Sequence, residues 1–143
     1  MKKDGQDKRI EIILGKIEDL DFDKTIDIFF KYLKDNLTLP CEVTGVEDFR
    51  WEELYVFGPG DKEEYSQLKK NRPSYSDHYN LLEIVRIAQS QWAMFYNEDI
   101  GACVHRISDG KKFLLGLSEL KGTDKKSRNY QLLDDYSVWF VNR

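Results

Sequence analysis

The chain has little of several things, and each shortage narrows what it can be. Of 143 residues only two are cysteine, Cys41 and Cys103. They cannot make a disulfide framework, and a reducing cytoplasm suits them. Histidine also occurs only twice, and proline three times. No apolar run approaches the roughly 18 residues of a membrane span. The opening Met-Lys-Lys-Asp-Gly-Gln-Asp-Lys-Arg is followed by no apolar signal core, so export is not expected and the cytoplasm is. Missing too are the phosphate loop Gly-x-x-x-x-Gly-Lys-Ser/Thr, the dinucleotide fingerprint Gly-x-Gly-x-x-Gly and the nucleophile elbow Gly-x-Ser-x-Gly. No internal repeat shows at periods of roughly 20–50 residues.

These shortages set aside membrane-spanning, collagenous and disulfide-scaffold classes. What is present sets aside disorder, because 41% of the residues are hydrophobic and 13% aromatic. The length matches a single domain on the usual prior of roughly 100–200 residues. It also suffices to bury a core without covalent staples.

The charge is uneven. The net charge is -4, but residues 1–60 carry -5 and residues 61–143 carry +1. Within Glu42–Glu64 eight acidic residues face two basic ones, a net of -6. A cation would feel its strongest attraction there. Nucleic acid would not, because a phosphate backbone needs several Lys/Arg on one surface. The two basic clusters, Lys69-Lys70-Asn71-Arg72 and Lys125-Lys126-Ser127-Arg128, are short and read as solvated loops.

Hydrophobic spacing divides the chain. Ile10, Ile13, Leu14 and Ile17 recur at helical intervals over residues 8–19. Asp21 or Asp23 can cap a second helix. Its buried stripe would include Ile26, Phe29, Phe30 and Leu33, and it should stop near Leu37, ahead of Pro40. After Pro40 the period falls toward two. Cys41, Val43 and Val46 predict a strand broken at Gly45. Leu54-Tyr55-Val56-Phe57 is a β-favouring run closed by Gly58-Pro59-Gly60. Residues 61–78 read as a polar excursion. Leu81–Ile87 is the clearest strand, and 91–96 a shorter apolar piece. Residues 102–107 and 112–117 flank Ser108-Asp109-Gly110-Lys111, a hairpin turn with the favoured Asp-Gly pair. At the end Leu132, Leu133, Tyr136, Trp139 and Phe140 share one helical face. The expected fold is α+β in one domain. A helical extension, 1–38, precedes a small five-stranded SH3-like antiparallel barrel and a C-terminal helix, 39–143.

Few residues carry chemistry. His78 lies in a polar stretch and should sit on the surface. Cys103 and His105 are two apart and would share one strand face. With Cys41 they fall short of the four ligands of a structural zinc, and they make no supported nucleophile pair. No catalytic site is expected. Asp19-x-Asp21-x-Asp23 begins like a calcium loop, but Lys24 and Phe30 occupy the positions that need Gly and a bidentate carboxylate. The stretch Glu47-Asp48-Phe49-Arg50-Trp51-Glu52-Glu53 remains. Calcium takes six to eight oxygens in tolerant geometry, and clustered carboxylates repel one another until a cation relieves them.

Two segments resemble a known family. One is Leu39-Pro40-Cys41-Glu42-Val43-Thr44-Gly45. The other is Gly116-Leu117-Ser118-Glu119-Leu120, then Asp124-Lys125-Lys126-Ser127, Asn129-Tyr130-Gln131 and Asp134-Asp135-Tyr136-Ser137-Val138-Trp139-Phe140-Val141-Asn142-Arg143. They resemble the bacterial calcium-binding proteins of the CcbP type over about half the chain, mainly 39–58 and 100–143. The resemblance implies a compact barrel-like sheet with a flanking helix, and calcium on surface carboxylates without catalysis. The chain departs from it in its N-terminal extension, in the excursion at 60–78 and in its mild overall acidity.

The expected function is therefore an intracellular calcium buffer or sensor. The expected ligands are Glu47, Asp48, Glu52 and Glu53, with Asp61 or Glu63 across the Gly58-Pro59-Gly60 turn. Replacing Glu52 and Glu53 by Gln should then remove most of the binding and leave metal-free stability unchanged or raised. The rival is a non-catalytic protein- or nucleic-acid-interaction module using Trp51, Tyr55, Trp92 and Tyr96 as an aromatic face.

Overall fold

The computed structural model describes residues 2–15 and 21–142, with side chains from Gly5 onward. Ile17 and Asp19, and with them the end of the first expected helix, lie outside the described residues.

Helix α1, Lys2–Leu14, turns Leu14 into the core, with Ile10 and Ile13 packed beside it. Helix α2 spans Phe22–Asn36. Asp21 is its N-cap and accepts from the Lys24 N–H at 2.8 Å. Ile26, Phe29 and Leu33, spaced three and four apart, are fully buried, while Phe30 is only half-buried. The helix ends at Asn36, and Leu37 is already extended.

Five strands follow: β1 Cys41–Gly45, β2 His78–Val85, β3 Gly101–Arg106, β4 Lys112–Gly116 and β5 Leu120–Gly122. Every neighbouring pair is antiparallel, in the order β4-β3-β2-β1-β5. Between β1 and β2 lie a 3-10 turn, Arg50–Glu52, and two short helices, α3 Glu53–Val56 and α4 Lys62–Leu68. A second 3-10 turn, Leu117–Glu119, joins β4 to β5, and α5 spans Arg128–Asn142. The Asp109-Gly110 turn sits where the sequence placed it, with Gly110 at φ 73°. No helix among the described residues is long and apolar enough to cross a membrane.

The core joins sheet and helices. Val43, Tyr79, Leu81, Ile84, Val104 and Leu115 from the sheet meet Ile26, Phe29 and Leu33 of α2 and Leu132, Leu133, Tyr136 and Phe140 of α5. On β3 the inward face is Ala102, Val104 and Arg106, so Cys103 and His105 point outward and are half-buried. Arg106 is a cation on an otherwise apolar face. Its guanidinium donates to the carbonyls of Lys69, Lys70 and Arg72 at 2.8–3.0 Å and pairs with Asp77 and Asp109. It thereby fastens residues 69–77 to the hairpin.

Three expectations are corrected. The five strands form an open sheet rather than a closed barrel: β4 and β5 are its two edges among the described residues. Leu54–Val56 is helical, not extended, with Phe57 its C-cap, because this β-favouring run has no neighbouring strand and Tyr55 instead stacks on Tyr65. The fifth strand is the three-residue β5, in a stretch too short to show a period.

Candidate metal site

The register of one hairpin builds the site. Gly101 pairs with Gly116. Continuing the antiparallel pairing past them sets Asp99 opposite Ser118, at the point where β4 ends and the 3-10 turn begins. Asp99 is fully buried. It accepts from the Tyr136 hydroxyl and the Ser118 hydroxyl, each at 2.6 Å, and from the Ser118 N–H at 3.2 Å. Burial pushes its pKa up to about 6 despite those donors.

Glu119 ends the same turn. Its Oε2 accepts from the Met94 N–H at 3.2 Å. Burial pushes its pKa up to about 7; the Met94 donor opposes the shift, and the charges of Asp99 and Glu47 add to it. Both carboxylates crowd the α-carbon of Gly116. A methyl group there would lie 2.6 Å from Asp99 Oδ2 and 2.8 Å from Glu119 Oε2. Beside them is a cavity of about 80 Å³, lined by Glu47, Asp48, Ser118, Glu119 and Ser137 together with apolar side chains. A hard, oxygen-only donor set of this kind suits calcium rather than zinc or copper. Among the described residues no three His, Cys, Asp or Glu side chains converge closely enough to hold an ion as they stand.

The six carboxylates expected from the sequence separate into different environments. Glu47 and Asp48 line the cavity just described. Glu52 is fully buried. It accepts from the N–H groups of Phe49 and Tyr75 and the hydroxyls of Tyr65 and Ser74, so its oxygens are taken up by the protein. Glu53 is exposed on α3. Asp61 caps α4 by accepting from the Glu63 N–H at 3.0 Å, and Glu63 is exposed in that first turn. The sequence reading missed Asp99 and Glu119 as partners. The available signal was the Gly116-Leu117-Ser118-Glu119 string, where a carboxylate interrupts an apolar run at a strand end.

The remaining candidates have structural partners, except Tyr96, which is exposed. Cys41 lies on β1 and Cys103 and His105 on β3, with β2 between them, and burial pushes both thiols up. His78 is exposed as expected and bonds Glu42 at 2.6 Å. Trp51 and Tyr55 pack with Tyr65, Trp51 donates to the Pro73 carbonyl, and Trp92 meets Phe113 edge-on.

No protein-family profile matches the chain, and no curated protein sequence is similar to it. Solved structures are. The chain superposes on the crystal structure of Anabaena CcbP with a TM-score of 0.58 at 15% identity, covering 96% of this chain and 90% of that one. It superposes on a calcium-binding protein in its calcium-binding form with a TM-score of 0.60, again at 15% identity, covering 97% and 91%. The chain has a CcbP-like fold.

Proposed function

We propose that the protein binds calcium at the end of the β3–β4 hairpin, with the half-buried Glu119 as its anchor, Asp99 adding negative charge behind it while Tyr136 and Ser118 hold its oxygens, and Glu47 and Asp48 closing over the cavity. The observation that carries this is the crowding of the fully buried Asp99 and the half-buried Glu119 against Gly116, beside a cavity lined by Glu119, Glu47 and Asp48. Carboxylates held this close repel when both ionise, and a divalent cation relieves that repulsion. The fold shared with a calcium-binding protein in its calcium-binding form supports the same reading. Glu53, Asp61 and Glu63 then act at a distance, through the negative field they raise over this end of the molecule. Glu52 takes no part, because its oxygens are already satisfied.

We read the chain as one domain that buffers or senses calcium in the cytoplasm and carries no catalytic activity. The sheet order, with a 3-10 turn before the last strand, supports an SH3-like description of the 39–143 part. Binding should be modest, in the class of roughly 10⁻⁴–10⁻³ M, because Glu47 and Asp48 must be ordered when the ion arrives. Calcium should be preferred to magnesium, which demands a tight octahedron and keeps its water. Calorimetric titration with each ion tests this. Glu119→Gln should abolish the calcium heat, while Glu53→Gln should weaken it only slightly. Equal binding by Glu119→Gln and the parent would remove the site from this hairpin.

A further inference from the structure

The helical turn α3 presents its side chains very unevenly. At about 100° per residue, Tyr55 alone points back toward the body. There it stacks on Tyr65 at 5.2 Å and bonds Glu64. Leu54, Val56 and Phe57 point out, and Phe57 is 77% exposed and Leu54 53%. Three large apolar side chains within four residues are thus left in water on a turn rigidly backed by stacked aromatic rings. Single exposed apolar residues are ordinary, but a contiguous group rimmed by polar ones marks a docking surface. The rim here is mainly of one sign, although Lys69 and Arg72 lie over the Tyr65 and Trp51 rings behind the turn. Glu53, Asp61, Glu63 and Glu64 are all exposed, with Lys62 the only cation among them. Among the described residues none of these four carboxylates forms an ion pair.

We propose that this turn is a docking surface for a basic amphipathic segment of another protein, with Phe57 and Leu54 as the apolar anchors and the surrounding carboxylates selecting Lys or Arg. Charge complementarity chooses this occupant. A second copy of the same face would bring four carboxylates against four, and like charges across an interface are costly. The inference does not rest on the calcium reading: Glu47, Asp48, Asp99 and Glu119 take no part in it, and the carboxylates common to both, Glu53, Asp61 and Glu63, are not ligands there.

The test uses the full chain in chelator, so that calcium plays no role. A labelled leucine/lysine peptide of amphipathic helical pattern is titrated by fluorescence anisotropy against a leucine/glutamate peptide of the same pattern. The leucine/lysine peptide should bind and its counterpart should not. The double variant Leu54→Ser/Phe57→Ser should weaken binding by at least roughly tenfold, as expected for central apolar anchors, with an unchanged circular dichroism spectrum and melting temperature. Glu53→Gln/Glu63→Gln, which keeps the anchors, should weaken it less and flatten its salt dependence. Absence of binding, or equal binding by Leu54→Ser/Phe57→Ser, would overturn the proposal. So would sedimentation of the parent as a dimer and of that variant as a monomer, or parent-only binding to phosphatidylcholine vesicles, since each assigns the surface to a different occupant.

Discussion

Two glutamates show how little the residue type alone decides. Glu52 is fully buried and meets four donors, whereas Glu119 is half-buried and accepts from the Met94 N–H. Removing the charge at Glu52 leaves donors unpaired in a buried site, so Glu52→Gln should destabilise the protein by about 2–3 kcal/mol in urea denaturation. This reverses the stability effect expected from sequence at that position; at exposed Glu53 the change should stay within about 0.5 kcal/mol. At Glu119 the sign is opposite. Its folded pKa is raised above the ordinary 4.5 to about 7, so the folded state holds a proton that the unfolded state has released between those values. In chelator, stability should therefore fall as pH rises from about 4.5 to about 7. Glu119→Gln should flatten that slope, with a higher melting temperature than the parent at pH 8 and little difference near pH 4.5. A parent whose melting temperature rises across this window would contradict the assignment. Glu47 and Asp48 were legible in the sequence as charge density. Asp99 and Glu119 were not, because they lie 20 residues apart and meet only through the Gly101–Gly116 register.

Among the elements, those with a strong local period were the readable ones. α2 and α5 follow their apolar stripes, and the β3–β4 hairpin follows its Asp-Gly turn. α3 and β5 did not yield to periodicity: each is three or four residues long, and its conformation is set by what it packs on. Arg106 illustrates the same limit. Its position on β3 calls for an apolar side chain, yet it holds the carbonyls that follow α4, where a cation also meets the negative end of the helix dipole. Arg106→Leu should cost about 3 kcal/mol, since it strands part-buried carbonyls and the Asp77 carboxylate. Amide exchange should quicken first in residues 69–77 and in the start of β2, ahead of α2 and α5. Uniform loss of protection would argue that the segment has no separate fastening.

For the molecule as a whole, the sequence conveyed the class of fold, helices then antiparallel strands then one helix, but not the openness of the sheet. Closure depends on pairing between the two edge strands, and no local pattern reports on that. Calcium that binds only the folded state should stabilise all of it. At a concentration about ten times Kd the gain is about 1.4 kcal/mol, a rise of a few degrees in melting temperature.

The hydroxyl of Tyr136 would carry such binding into the aromatic core. Tyr136 is the donor to Asp99 and also part of an aromatic cluster: Phe29 lies edge-on at 5.3 Å, Trp139 at 6.0 Å and Phe140 at 5.7 Å. When Asp99 gains or loses charge, the phenol that bonds it is polarised differently, and the indole beside it lies within the range of that change. The protein thus carries its own optical probe. Trp139 emission should shift on calcium addition in step with the calorimetric heat, and Trp139→Phe should silence the signal while leaving the heat in place.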